Sequence, residues 1–141
     1  MRRHLLLILS LMAVASIFIA YACSSGEADQ ITGPGGISQE ESQEIARQYV
    51  INEPTFVFDG MVETLALVNT TTLKCPYCWE FVYQYDCRQA GYGNRTGLMV
   101  AQVITPHTAT IVVQEGKVTS AVMDSKWDMM GQKFIGAIII P

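Results

Sequence analysis

Apolar positions over residues 38–51 recur every three or four residues, as they do on one face of a helix. Ser38 and Glu41 open this run with the spacing of a capping box, in which the serine hydroxyl accepts from a free helical amide and the carboxylate reaches back. Pro54 follows the run, and a proline disfavours helical backbone in the residue before it. The pattern predicts one amphipathic helix over about residues 39–51.

Beyond the proline, the period of the apolar positions changes to two, which is the period of a half-buried strand. The clearest case is residues 79–86, where Trp79, Phe81, Tyr83 and Tyr85 share one face. The other candidate strands are residues 55–58, 63–68, 98–104, 108–113 and 118–123. Glu115 and Gly116 stand between the last two of these and predict a tight hairpin turn.

The end of the chain is predicted to contain a short helix that includes Trp127, Met130 and Phe134. The apolar tail, residues 135–141, either packs on the sheet or extends as a strand. One helix, about five or six antiparallel strands and a short last helix predict a single α+β domain over residues 38–141, with the first helix lying across one sheet face. This order of elements resembles the cystatin-like and PepSY-like folds.

Residues 1–22 have the pattern of a signal peptide for export. Two arginines precede an apolar run, residues 5–22, and Cys23 follows a small residue. In the first interpretation a peptidase cuts before Cys23, the thiol receives a lipid, and residues 23–37 form a flexible tether rich in Gly, Ser and acid. In the second, the apolar run stays uncut as a transmembrane anchor, since it is long enough to cross a bilayer. Both place the domain on the outer face of the cell membrane.

The charge of the exported part is acidic. Removing the signal takes away two arginines and no acid, so the net charge falls from −4 to about −6 over 119 residues. This length is enough for one domain with a single core. The acidic balance argues against nucleic acid as a partner, because nucleic-acid binding needs clustered Lys and Arg. It also argues against docking on anionic lipid headgroups by charge. No cofactor is predicted.

The tetrapeptide Cys75-Pro76-Tyr77-Cys78 matches the active site of glutaredoxins. In those enzymes the first cysteine lies at a helix N-terminus, which lowers the pKa of its thiol, whereas an alternating strand follows the motif here. A turn led by Pro76 brings the two cysteines to disulfide distance, and such a pair oxidises outside the cytoplasm. A structural disulfide is therefore the main interpretation, and an envelope thiol–disulfide oxidoreductase is the alternative.

A second alternative is a zinc site of the Cys₃His type, formed by Cys75, Cys78, Cys87 and His107. A CxxC pair is a normal half-site, but the second half is not paired in the sequence. Cys87 also shares the parity of the apolar face of residues 79–86, which predicts a buried core thiol.

Residues 91–97, Gly-Tyr-Gly-Asn-Arg-Thr-Gly, predict a flexible connection between strands. They lack the Lys-Ser/Thr ending of a phosphate-binding loop. The functional alternative is a binding loop on which Tyr92 and Arg95 face an anion or a glycan. His107 and Trp127 complete the candidate ligand-binding residues. No nucleophile–base set or carboxylate pair can be assembled, so no catalytic residue is predicted.

Five segments together carry a resemblance: PTFVFDG, CPYCWEFVYQYD, GYGNRTG, TPHTATIVVQEGKVTSAVMD and KWD. Over about residues 38–131 they resemble a family of uncharacterised secreted or lipid-anchored archaeal and bacterial proteins. The resemblance implies that the glycine loop, His107 and the turn at residues 126–128 belong to one recurring domain, and it implies no activity. We therefore expect an exported, anchored, non-enzymatic binding or modulatory domain whose partner is an envelope protein or a small ligand.

Overall fold

A six-stranded antiparallel sheet with one long helix on one of its faces makes up residues 36–136, the part of the chain that this computed structural model describes. The strands follow one another in sequence order, so each pairs with its sequence neighbour. This arrangement confirms the predicted α+β class. The elements are α1 (Gln39–Asn52), α2 (Pro54–Asp59), a 3₁₀ turn (Val62–Thr64), β1 (Ala66–Thr72), β2 (Cys78–Cys87), β3 (Thr105–Gln114), β4 (Lys117–Met123), β5 (Trp127–Asp128) and β6 (Lys133–Phe134).

Helix α1 begins where the capping box predicts it. The Ser38 hydroxyl accepts from the Glu41 amide at 3.1 Å, and the Glu41 carboxylate accepts from the Ser38 amide at 2.9 Å. Ala46 and Val50 are fully buried on the face that packs on β2, β3 and β4. The Tyr83 hydroxyl also donates to the Gln43 carbonyl at 3.0 Å, which fixes the helix across the sheet.

The core lies between α1 and the inner face of the sheet. Strand β2 contributes Phe81, Tyr83, Tyr85 and Cys87, in the alternation that its sequence predicts. Strand β3, which pairs with β2 along all ten residues, buries every second side chain on the same face: His107, Ala109, Ile111 and Val113. The predicted strand at residues 79–86 and the predicted buried state of Cys87 are thus confirmed.

The predicted strand at residues 55–58 is wrong, because these residues form helix α2. Pro54 occupies the first turn, where its missing N–H costs nothing and its fixed φ suits a helix. The Glu53 carboxylate caps the helix by accepting from the Thr55 amide at 2.8 Å. The cap outweighs the strand preference of Thr-Phe-Val-Phe. The strand predicted at residues 63–68 exists but is shifted, since β1 starts at Ala66 and continues to Thr72.

Two further predictions are wrong, one for residues 98–104 and one for the segment that follows β4. Residues 98–104 are irregular rather than a strand. The predicted last helix is replaced by the short strands β5 and β6. Asp124 and Ser125 both adopt positive φ, 52° and 56°, which turns the chain back on β4. The Asp128 carboxylate then accepts from the amides of Met130 and Gly131 and closes a second turn.

Several predicted features fall outside the described residues. These are the signal peptide, Cys23, nearly all of the tether and residues 137–141 of the apolar tail. Ile135, at the start of that tail, is half-exposed, and its amide donates to the Lys126 carbonyl at 2.7 Å. Over residues 36–136, no helix is long and apolar enough to cross a membrane.

Candidate functional site

Three of the four predicted ligand-binding residues, Tyr92, His107 and Trp127, come together around Asp124. One carboxylate oxygen of Asp124 lies 2.7 Å from His107 Nδ1 and accepts from the Tyr92 hydroxyl at 2.9 Å. The other accepts from the Thr108 amide at 2.7 Å. The Tyr92 ring stacks on Trp127 with their centroids 5.5 Å apart. The loop before β3, the start of β3 and the turn after β4 are therefore joined by one carboxylate.

The hydrogen bonds of this cluster set its protonation. Burial alone would raise the pKa of Asp124, but the bonds from His107, Thr108 and Tyr92 outweigh burial and lower it below its usual value. Burial, followed by the bond to Asp124 and its negative charge, raises the pKa of Tyr92 to about 12. Asp124 is thus an ionised carboxylate at neutral pH and can only accept hydrogen bonds. Because it lies next to His107 Nδ1, we assign a proton to that nitrogen.

His107 is the most deeply buried of the three hydrogen-bonded side chains. His107 is 2 % exposed, and its Nε2 is buried without a hydrogen-bond partner among the described residues. A cavity of about 300 Å³ lies on the opposite face of the sheet, where the alternate side chains Gln84, Asp86 and Thr108 point. His107 lines that cavity, but its side chain shares the inner face with the core. The histidine, the aspartate and the tyrosine therefore brace the fold, and of the three the aspartate and the tyrosine keep partial access to solvent.

Arg95, the fourth predicted ligand-binding residue, is also inside. Its guanidinium pairs with the Asp59 carboxylate and donates to the carbonyls of Gly91 and Gly93, at 2.8 and 3.3 Å. The Phe58 ring lies against it, 4.6 Å from centroid to guanidinium carbon. The arginine side chain is 2 % exposed and that of its partner 7 %. The guanidinium thus closes the glycine loop from within.

The cysteines divide between the two ends of β2. Cys75 and Cys78 form a disulfide in the β1–β2 turn with their Cα atoms 5.4 Å apart, and no helix begins there to stabilise a thiolate. Cys87 is a free, buried thiol, and its pKa is raised to about 12, first by burial and then by Asp59.

The zinc hypothesis required Cys75, Cys78, Cys87 and His107 to surround one ion. Strand β2 has ten residues and is about 30 Å long, so its two ends cannot share a ligand sphere. Within residues 36–136, no group of three or more metal-ligating side chains gathers in any place. The geometry thus gives the zinc and redox alternatives no support.

Replacing both Cys75 and Cys78 with serine is expected to lower the free energy of unfolding by roughly 2 kcal/mol, the loop entropy of a bridge that closes four residues. Urea unfolding of the oxidised, reduced and double-serine proteins measures this. The reduced wild-type protein serves as the matched control and should behave as the double variant does. Identical stability of the oxidised and reduced proteins would contradict a structural role for the disulfide.

Three acids were missed as site residues from the sequence: Glu53 and Asp59, whose side chains are buried, and Asp124, which is partly buried. Glu53 is 3 % exposed and accepts from the Thr55 amide and hydroxyl, and from the Gln132 side-chain amide at 3.0 Å. An acid directly before proline, as at Glu53, is a signal for a helix cap. Nothing local to Asp59 or Asp124 reveals their distant partners.

The exposed apolar side chains contrast with these buried polar ones. Leu98, Met99, Val103 and Ile104 belong to the long loop that joins β2 to β3, and their exposures are 65, 104, 53 and 55 %. We call these four residues the apolar tip. The loop is pinned nearer its base, since the Ala90 amide donates to the Ala101 carbonyl at 3.0 Å. The tip is therefore held in place by the loop but is not covered by it.

The apolar tip and the N-terminal side of the domain lie at opposite ends of the sheet. A Cβ on Gly36 would overlap the Tyr77 ring, and the Ile37 side chain lies against Gly116. Both contacts are with turns at the end of the sheet where β2 begins and β3 ends. The apolar tip follows the other end of β2, about 30 Å away.

No family model matches this chain, and no curated protein or solved structure matches it either.

Proposed function

We propose that this chain is an exported, membrane-anchored, non-enzymatic binding module that contacts a partner protein through its apolar tip. The observation that carries the proposal is how the described side chains are distributed. The chemically versatile groups, among them His107, Asp124 and Arg95, are engaged with partners within the fold. Four of the eleven large apolar side chains exposed among residues 36–136 lie together on one loop, and such patches mark contact sites.

The position of the apolar tip favours a protein partner over the anchoring membrane. If the chain is held by a lipid on Cys23 or by an uncut helix, the anchor joins the domain next to Gly36, at the far end of the sheet from the tip. The acidic net charge of the exported part also disfavours approach to an anionic bilayer. An attachment point at the far end of the sheet leaves the tip free to contact a partner in the extracytoplasmic space.

The layout of the domain is compatible with this role. The likeness to cystatin-like and PepSY-like folds was proposed on one helix, about five or six antiparallel strands and a short last helix, and the structure has the first helix and the antiparallel meander but not the last helix. Those folds suggest protein binding or inhibition by analogy only, since one fold hosts many functions. The apolar tip, rather than the fold, identifies the surface to test.

Photo-cross-linking in intact cells tests the proposal. A benzophenone amino acid replaces Met99, whose side chain is fully exposed, and the matched control carries it at exposed Thr119 on β4. We expect a discrete protein adduct from position 99 that position 119 does not give. Adducts to lipid alone from position 99, or no adduct from either position, would contradict a protein partner.

A further inference from the structure

Strand β1 is an open edge of the sheet. Among residues 36–136 it pairs with β2 on one side only, and α1 packs on β2, β3 and β4 rather than over it. Residues 66–72, Ala-Leu-Val-Asn-Thr-Thr-Thr, contain no charge and no proline, and six of the seven are exposed. Natural edge strands usually carry a charge or a proline that blocks pairing with another chain. The unpaired amides and carbonyls of β1 therefore offer a template for a further strand.

The opposite edge of the sheet is less suited to pairing. Strands β5 and β6 have two residues each, and the exposed start of β4 carries Lys117. Strand β1 has one irregularity, between Leu67 and Asn69. Its remaining stretch, residues 69–72, is regularly paired with residues 79–82 of β2 and is rich in threonine, which favours strands.

We propose that β1 pairs in antiparallel fashion with β1 of a second copy of this chain, so that two sheets continue into one. Two exposed charges flank the strand, Glu63 before it and Lys74 after it. Antiparallel pairing brings the acidic end of each strand to the basic end of the other, whereas parallel pairing opposes like charges. With Glu63 of one copy opposite Lys74 of the other, the centre of the pair falls between Val68 and Asn69, and Thr70, Thr71 and Thr72 meet uncharged residues of the second strand.

The pairing is independent of the apolar tip and is compatible with anchoring. In an antiparallel pair the two N-terminal sides point to opposite ends of the joined sheet, about 30 Å apart. The twelve residues 24–35 can span at most about 43 Å, so anchors at both copies of Cys23 can reach one membrane.

Single cysteines at Leu67, Val68, Asn69 and Thr70 in the full chain, oxidised in native membranes, test the pairing. We expect a covalent dimer on a non-reducing gel from one or two adjacent positions. Gln48→Cys, on the exposed face of α1, is the matched control and should give none above background. If no cysteine in β1 gives more covalent dimer than this control, β1 does not pair with a second copy of the chain. The same conclusion holds if the adducts contain a different protein.

A charged edge supplies the second readout. Val68→Lys places like charges at the centre of the pair, and we expect it to abolish the Asn69→Cys dimer and to halve the particle mass of the purified full chain in detergent. Asn69→Lys, tested on the Val68→Cys dimer, serves if the first variant does not fold. A dimer that survives both substitutions, or a wild-type chain that is monomeric, overturns the proposal. Neither result bears on adducts from Met99, so the binding role is tested separately.

Discussion

Replacing Arg95 with methionine is expected to lower the free energy of unfolding by about 3–5 kcal/mol, as is typical when one partner of a buried ion pair is removed. The guanidinium is 2 % exposed, and the substitution leaves the Asp59 carboxylate buried without a cation. The carbonyls of Gly91 and Gly93 lose their donor as well. Methionine keeps most of the apolar stem, so the effect reports the charge and its hydrogen bonds. Urea unfolding measures it.

Two further variants separate the ion pair from a general effect of charge. Arg88→Met removes an exposed arginine from the same loop, and we expect a change within about 0.5 kcal/mol. Adding Asp59→Leu to Arg95→Met removes the orphaned carboxylate and should restore part of the loss. If Arg95→Met is no more destabilising than Arg88→Met, the guanidinium is not the internal brace described above.

Asp124→Asn is expected to lower the free energy of unfolding at neutral pH by about 2–3 kcal/mol, because hydrogen bonds to a charged acceptor are stronger than those to an amide. The bonds concerned come from Tyr92, Thr108 and His107. Asparagine tolerates the positive φ of 52° at this position, so the backbone strain stays constant. Glu63→Gln, which neutralises an exposed acid, is the control and should change stability little.

The pH dependence of the Asp124 variant has a defined sign. The folded protein lowers the pKa of Asp124 below its ordinary value of 3.8, so the carboxylate stabilises the fold above that pH. This contribution is lost as the pH falls through the lower folded value. The difference in stability between the wild type and Asp124→Asn should therefore shrink below about pH 4. If the difference in stability between the two proteins stays constant down to pH 3, the negative charge of Asp124 does not stabilise the cluster.

Local signals in the sequence predicted the parts of the fold that local chemistry decides. The capping box at Ser38 and Glu41 gave the start of α1 correctly, and the alternation in residues 79–86 gave the buried face of β2. Helix α2 was missed because the strand preference of residues 55–58 was given more weight than Pro54. At the end of the chain, apolar spacing predicted a helix, but turns through Asp124 and Asp128 made a hairpin.

The candidate site depends on contacts that no local pattern contains. Arg95 and Asp59 are 36 residues apart, and Tyr92 and Asp124 are 32 apart. From the sequence, the glycine-rich loop was interpreted as a flexible connection, with Arg95 facing a ligand as the alternative, because its buried partner could not be identified. The apolar residues 98–104 were assigned to a half-buried strand for the same reason. An apolar run shows that a side chain avoids water, not what covers it.

The most direct test of the account is one variant measured in two ways. Leu98→Asp combined with Ile104→Asp places charges on the apolar tip at two side chains that are 65 and 55 % exposed. We predict a free energy of unfolding within about 0.5 kcal/mol of the wild-type value, as is usual for exposed positions. We also predict that position 99 of this variant gives no protein adduct. Strong destabilisation with the adduct retained would contradict this prediction. It would show that these side chains stabilise the fold and do not contact a partner.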